Sequence, residues 1–329
     1  MDRKGGNRMS YKVLIPQDIP QEGKKELINL GYEIKMGKGI TAAEIKKDII
    51  DCDALVARTA PLTREIMEAG KKLKVISRYG VGVDNIDLKA AEELGIWVTN
   101  APISNCTTVA QHTVIMMAAC TIDLVNANKH TKNGDFTNYR SNFIGMDLKD
   151  KVLGIIGIGK IGAHVAKIAM NGFDMKILAY DPYINPDNVM DGIEILKDWD
   201  EIFKRSDFIS IHLPLNPATE KIMGHKEFKM MKPTAYFINC ARGGIVDEKA
   251  LINALEAKEI AGAALDVFYE EPPREDNPLL KMDQVIVTPH TASSTKEAID
   301  RMSKHMAMGI HEVLSGKEPT WPVNNIKLS

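Results

Sequence analysis

Short apolar runs of strand character alternate with longer helical stretches along almost the whole chain, in two successive series. Such alternation brings each strand alongside the last through a long crossover, so it predicts parallel βαβ units rather than hairpins or a helical bundle. The first series runs KVLI (Lys12–Ile15), YEIK (Tyr32–Lys35), ALVA (Ala54–Ala57), KVIS (Lys74–Ser77) and IWVT (Ile96–Thr99). Helical stretches Gln21–Leu30, Ala42–Ile50, Thr63–Gly70 and Leu88–Leu94 lie between these strands. The second series runs VLGIIG (Val152–Gly157), KILAY (Lys176–Tyr180), DFISIH (Asp207–His212), AYFIN (Ala235–Asn239), GAALDV (Gly262–Val267) and QVIV (Gln284–Val287). A stretch free of Pro and Gly from Val109 to His130, opened by the capping sequence Asn105-Cys-Thr-Thr, predicts one long helix crossing between two domains. The segment Lys296–Leu314 predicts a helix returning to the first domain, because chain ends tend to lie close together. The expected domains are 9–104 with 295–329, and 105–294, after a disordered lead-in at 1–8.

Composition narrows the class. The chain has 329 residues, 44% hydrophobic and 26% charged, which fits an ordinary two-domain globular protein. With 42 Lys+Arg against 44 Asp+Glu, no electrostatic footprint for nucleic acid or an anionic membrane is visible. No apolar run approaches the ~18 residues of a membrane span. Cys52, Cys106, Cys120 and Cys240 form no C-x-x-C pair and none has a His at zinc-finger spacing, so no metal site is expected. Reduced, largely buried thiols in a cytoplasmic protein are the reading. The N-terminal MDRKGGNR carries no apolar stretch of a secretory signal.

Gly157-Ile-Gly159-Lys-Ile-Gly162 fits the G-x-G-x-x-G pattern. Three contexts agree: an apolar strand precedes it, an Ala-rich helix follows, and Asp181 closes the next strand 19 residues after Gly162. Gly157 permits a tight turn, Gly159 lets a pyrophosphate approach the backbone, and Gly162 lets helix and strand pack closely. The phosphates would sit on the helix N-terminus. Asp181 would accept hydrogen bonds from the adenosine ribose hydroxyls and repel a 2′-phosphate, favouring NAD over NADP. The second domain is therefore expected to be of Rossmann type.

Arg242 in NCARGG, Glu271 in EEPP and His290 in VTPH each follow an apolar strand, where ligands bind in open α/β sheets. Taken singly, each also suits an ordinary loop residue. Together they are the three groups that oxidation of a 2-hydroxy acid needs. An imidazole takes the hydroxyl proton, a carboxylate orients it and favours its charged form, and a guanidinium binds the substrate carboxylate and polarises the 2-oxo group.

NCARGGIVD (Asn239–Asp247), LDVFYEEPP (Leu265–Pro273), VTPHTASST (Val287–Thr295) and RYGVGVDNID (Arg78–Asp87) together resemble the D-isomer-specific 2-hydroxyacid dehydrogenases, from about Lys12 to Gly316. The resemblance implies an α/β fold of two doubly wound parallel-sheet domains, a Rossmann-type cofactor domain inserted in a discontinuous flavodoxin-like substrate domain. It implies His290 as acid/base, Glu271 as its partner and Arg242 as substrate clamp. Backbone N–H groups around Val81 and Gly82 would hold the substrate carboxylate, with Arg78 and Asn105 also on the substrate side. NAD would touch Lys160, Ile161, Asp181, Leu213, Pro214, Cys240, Ala241, Arg242, Asp266, His290 and Ala292, with Asp266 facing the nicotinamide amide. A homodimer formed largely through the cofactor domain is implied. Two departures stand out: Thr291-Ala292-Ser293-Ser294 lacks the glycine common after the catalytic His, and Ala110-Gln111-His112 replaces the usual Ala-Glu in the crossing helix.

Arg58 in ALVARTAPLT and Arg140 in NYRSNF align with basic residues that surround a substrate phosphate in some members, Arg140 coming from the partner subunit. This favours 3-phosphoglycerate/phosphohydroxypyruvate as substrate. The chain ends at Ser329 without the regulatory domains that many such members carry, so glyoxylate, hydroxypyruvate or another small 2-oxo acid is the second reading. A different class, an NAD(H)-sensing binding protein like the corepressors built on this fold, would retain the same three polar groups.

Overall fold

In the computed structural model, which describes residues 11–326, the first series forms one fully parallel sheet. The lead-in expected at residues 1–8 lies outside the described residues. Strands β1 (Lys12–Ile15), β2 (Glu33–Met36), β3 (Ala54–Ala57), β4 (Val75–Arg78) and β5 (Trp97–Thr99) run in the order β2-β1-β3-β4-β5, the flavodoxin-like doubly wound arrangement. Helices α1 (Gln21–Asn29), α2 (Ala42–Asp48), α3 (Arg64–Ala69) and α4 (Leu88–Glu93) make the crossovers. Local chemistry starts them: Thr41 and Glu44 form a capping box on α2, and the Asp87 carboxylate accepts the Ala90 N–H of α4. Neighbouring strand residues serve opposite faces. Leu14, Leu55 and Ile76 pack with Ile45 and Ile66 on one side, and Val13, Val56 and Val75 pack with Leu27 on the other.

The second unit opens with a correction. The single helix expected over 109–130 is two helices, α5 (Cys106–Thr121) and α6 (Leu124–Lys132), bent by 60°. Asp123 sits at the break with φ 47°, a left-handed conformation that Asp tolerates better than most residues. Its carboxylate accepts from Asn126 Nδ2 at 2.8 Å and from the Tyr139 hydroxyl at 2.7 Å, so α7 (Phe136–Asn142) fixes the bend. The Thr121 carbonyl at the break accepts the Met146 N–H.

The chain then forms β6 (Val152–Ile156), α8 (Lys160–Phe173), β7 (Lys176–Tyr180), β8 (Ile193–Ile195), α9 (Trp199–Arg205), β9 (Phe208–Ile211), α10 (His225–Met230), β10 (Tyr236–Asn239), α11 (Glu248–Glu256), β11 (Gly262–Leu265) and β12 (Val285–Val287). All seven strands are parallel in the order β12-β11-β10-β9-β6-β7-β8, the Rossmann winding with one strand added. Strand order reverses at β6, so its C-terminal end is the topological switch point where such sheets take ligands.

Helix α12 (Lys296–Leu314), N-capped by Thr295, returns to the first sheet. Met302, Met306 and Ile310 join the core of Val13, Val56 and Val75, and the Ser77 hydroxyl donates to the Met306 carbonyl at 2.9 Å. The chain thus divides into two compact units, residues 11–105 with 294–326 and residues 106–293. All four cysteines are free and buried. Among the described residues no single helix is long and apolar enough to cross a membrane, and no group of three His, Cys, Asp or Glu could hold a metal ion.

Candidate active site

The glycine turn leaves the C-terminal end of β6. Gly157 has φ 89°, and a Cβ there would lie 3.0 Å from both the His212 carbonyl oxygen and Leu213 Cδ2. A Cβ on Gly162 would overlap the Gly157 carbonyl, so helix and strand can pack only with glycine there. Gly159 differs. A Cβ on it would meet nothing within 4 Å, and α8, which starts at Lys160 and Ile161, has no side-chain cap. The protein's own packing therefore does not demand glycine at 159. A side chain would only fill the space before the helix N-terminus, where uncapped N–H groups and the helix dipole favour an anion. Asp181, just past β7, accepts the Ile158 N–H at 3.1 Å and the Tyr183 N–H at 3.0 Å, which fixes its carboxylate beside the turn with acceptor capacity to spare. Leu213 and Pro214 follow β9, and Leu213 walls the same turn. These residues fit a dinucleotide. Gly159→Ala is expected to keep the melting temperature and weaken NADH binding by about tenfold or more, whereas Gly162→Ala lowers the melting temperature, overpacking costing about 1–3 kcal/mol. Thermal melts beside NADH titration read both effects.

Arg242 is set by its neighbours. The buried Asn239 ends β10; its Oδ1 accepts the Ala241 N–H and its Nδ2 donates to the Arg242 carbonyl, both at 2.9 Å, shaping the turn Cys240-Ala241-Arg242. Arg242 Nη1 donates to the Ala241 carbonyl at 2.7 Å. Burial pushes the Cys240 thiol up to about 12, so it is a neutral packing group. At Gly243 a Cβ would overlap the carbonyl group of Phe268, so glycine there allows the loops after β10 and β11 to touch backbone to backbone.

The β11 loop carries Glu271. Its Oε1 accepts the Phe268 N–H at 3.1 Å and its Oε2 lies 2.7 Å from His290 Nδ1. Burial pushes the Glu271 carboxyl up, but the hydrogen bond and charge of His290, the Phe268 N–H and the Arg242 guanidinium outweigh it and hold the carboxyl below its ordinary value. The side chains of His290 and Glu271 keep 46% and 36% of their surface exposed, so the pair stays open to a ligand. His290 Nε2 has no hydrogen-bond partner among the described residues. Glu248 of α11 braces the loop from behind, accepting from Tyr269 N at 3.2 Å and Asn277 Nδ2 at 2.9 Å.

His290 has φ 53°, and its N–H donates to the Asp266 carbonyl at 2.8 Å. Asp266 is completely buried, and its carboxylate accepts from the Thr288 hydroxyl at 2.6 Å and from the Thr291 and Ala292 N–H groups at 2.8 Å each. Three donors occupy a group expected to face the nicotinamide amide, so shaping the loop of residues 288–292 is the work Asp266 visibly does. Asn239, Glu248 and Thr288 were not singled out from the sequence. Asn239 and Thr288 lie inside quoted motifs and Glu248 directly follows one, but only their tertiary partners reveal what they do.

In the first unit, Arg78 ends β4 and commits its donors to the backbone, Nε to the Gly82 carbonyl at 2.6 Å and Nη1 to those of Ala57 and Tyr79 at 3.3 Å. The residue expected on the substrate side thus also staples the loop that presents Val81 and Gly82. The Val81 carbonyl is further held by Asn100 Nδ2 at 2.7 Å. Arg58 follows β3 and donates through Nη1 to the Asp18 carbonyl. Asn105 has a buried, unpartnered Oδ1. Arg140 stands exposed on α7 of the second unit.

A glycine turn at the switch point and an Arg, Glu and His beyond the ends of three adjacent strands thus lie in one doubly wound sheet. Residues 114–292, more than half of the chain, match the family model described as D-isomer specific 2-hydroxyacid dehydrogenase, NAD binding domain, and the chain belongs to that family. It is 44% identical over 309 residues to D-3-phosphoglycerate dehydrogenase of Methanocaldococcus jannaschii, covering 93% of this chain and 58% of that protein. With the human D-3-phosphoglycerate dehydrogenase it shares 39% over 315 residues, again 58% of the relative's length. The chain thus spans little more than half of these relatives. Among solved structures, D-lactate dehydrogenase from Aquifex aeolicus complexed with NAD and lactic acid superposes with a TM-score of 0.86 at 27% identity, covering 96% of this chain and all of that one.

Proposed function

We propose that the chain transfers hydride between NAD and a D-2-hydroxy acid, the pair being 3-phosphoglycerate and phosphohydroxypyruvate. The observation that carries the chemistry is the 2.7 Å pairing of His290 with Glu271, within the field of Arg242, at the strand ends of a dinucleotide-binding sheet. When bound, NAD accepts the hydride from C2 of the hydroxy acid or returns it to the 2-oxo acid. His290 Nε2 takes the hydroxyl proton in oxidation and gives it to the carbonyl oxygen in reduction. Glu271 holds Nδ1, fixing the tautomer and balancing the imidazolium charge. Arg242 binds the carboxylate and polarises the 2-oxo group. In the first unit, the N–H groups of Val81 and Gly82 are the candidates to bind a substrate carboxylate. Asp181 and the turn of Gly157, Gly159 and Gly162 hold the ribose and diphosphate, with Lys160, Ile161, Leu213, Pro214, Cys240, Ala241, Asp266 and Ala292 around the rest of the cofactor.

The phosphate reading rests on Arg58 and Arg140. Arg58 is anchored through one Nη1 to Asp18 and keeps its other donors for an anion. Arg58→Ala is expected to cost ~2–4 kcal/mol in kcat/KM for phosphohydroxypyruvate and little for glyoxylate. An unchanged value on the phosphorylated substrate removes that reading. Arg140 would act from a partner subunit. A homodimer is supported by apolar side chains exposed on and around α5 to α7, namely Ile115 at 64%, Leu124 and Val125 at 51%, Phe136 at 54% and Ile144 at 94%. Four free thiols support a cytoplasmic setting. NADH and NADPH consumption over a panel of 2-oxo acids tests the whole reading. Turnover of phosphohydroxypyruvate with NADH is expected, and NADH binding without any turnover would leave a dinucleotide sensor.

A further inference from the structure

Of the imidazoles that the mechanism leaves unused, one touches the loop that carries His290. His112 of α5 is three-quarters buried, with Nε2 3.1 Å from the Thr288 hydroxyl and 3.6 Å from Asp266 Oδ1. The Thr288 hydroxyl has one proton, and at 2.6 Å it is directed to the Asp266 carboxylate. Towards His112 the hydroxyl can therefore only accept, so Nε2 is the donor. A relay follows: His112 donates to Thr288, Thr288 to Asp266, and Asp266 receives the backbone N–H groups of His290, Thr291 and Ala292. Each backbone N–H from the proposed acid/base to the buried Ala292 reaches this residue, that of His290 being shared with the Thr288 carbonyl at 3.0 Å.

The relay matters because His290 is held in a left-handed backbone conformation, φ 53°. For a residue with a Cβ this conformation is strained, and it persists only where the surroundings over-determine it. We propose that His112 is a positioning residue: its Nε2–H orients Thr288, and through Thr288 and Asp266 it holds the loop of residues 288–292 so that the His290 imidazole meets Glu271. The effect on turnover rests on the function proposed above, whereas the effect on the loop does not.

The test uses the full chain and three variants. His112→Leu removes the donor and keeps apolar bulk; His112→Gln keeps an N–H in reach; Thr288→Val cuts the next link. In the free protein, hydrogen exchange of the peptide covering 288–292 is expected to speed up about tenfold or more in His112→Leu and Thr288→Val, and to return to within about threefold of wild type in His112→Gln. With NADH and phosphohydroxypyruvate, kcat is expected to fall about 10-fold to 100-fold in His112→Leu with KM nearly unchanged, and to be rescued by His112→Gln. The double variant His112→Leu/Thr288→Val is expected to lose little beyond Thr288→Val alone. Unchanged exchange at 288–292 in His112→Leu, equal losses in the Leu and Gln variants, or full additivity with Thr288→Val would each overturn the proposal. If wild type turns over no 2-oxo acid, the proposed function fails, and the exchange measurement still decides the relay.

Discussion

Replacing His290 with alanine lowers kcat for reduction of the 2-oxo acid by roughly 10²–10⁴-fold while NADH affinity stays within a factor of about three. The expectation is this clean because of how the residue is held. The Asp266 carbonyl grips the His290 backbone N–H, and Thr291 and Ala292 bind the Asp266 carboxylate through their own N–H groups. None of these contacts involves the imidazole, so the loop keeps its anchors. Alanine also meets the same left-handed backbone cost as histidine, so no new strain is added. What disappears is the proton-transfer group and the partner of Glu271. Steady-state kinetics beside a fluorescence titration of NADH separates the two effects. A loss of less than tenfold would mean that another group moves the proton.

The second large effect is expected at Gly243, which carries no side chain to react. A Cβ there would run into the backbone of Phe268, and backbone cannot swing aside as a side chain can. Gly243→Ala must push the Arg242 turn away from the loop that carries Glu271. Overpacking of this kind costs about 1–3 kcal/mol, and a displacement near 1 Å among reacting groups costs about 10²-fold in rate. Both a lower melting temperature and a kcat/KM reduced about 100-fold are therefore expected. Wild-type kcat/KM in this variant would show that the two loops act independently.

Much of the scaffold was readable from residue patterns, for physical reasons visible in particular strands. ALVA and FISI are buried along their whole length, as parallel strands covered on both faces must be. Lys296–Leu314 carries its own start signal in Thr295. Strand β8 escaped notice because it is three residues long with an exposed glutamate at its centre. The bend at Asp123 escaped because nothing in its neighbours announces it. Tyr139, sixteen residues on, fixes the kink.

The same division runs through the candidate site. Arg242, Glu271 and His290 were legible because each follows an apolar strand, and a family resemblance joined them. Asn239, Glu248 and Thr288 were not, since their work consists of holding other loops and shows only in three dimensions. Arg78 was legible as part of a motif, but its inward commitment to the Gly82 carbonyl was not.

The discontinuity of the first unit has a consequence for biosynthesis. One face of its sheet, with Val13, Val56 and Val75, is covered in part by Met302, Met306 and Ile310 of a helix translated after the whole second unit. Until the ribosome has made the whole intervening unit, that greasy face lacks the part of its cover that α12 supplies and has only α1, through Leu27, across it. Domains generally mature in the order in which they emerge. Here the order inverts: the later segment, complete in itself, can settle while the earlier one waits, exposed to chaperones and to its neighbours on the polysome.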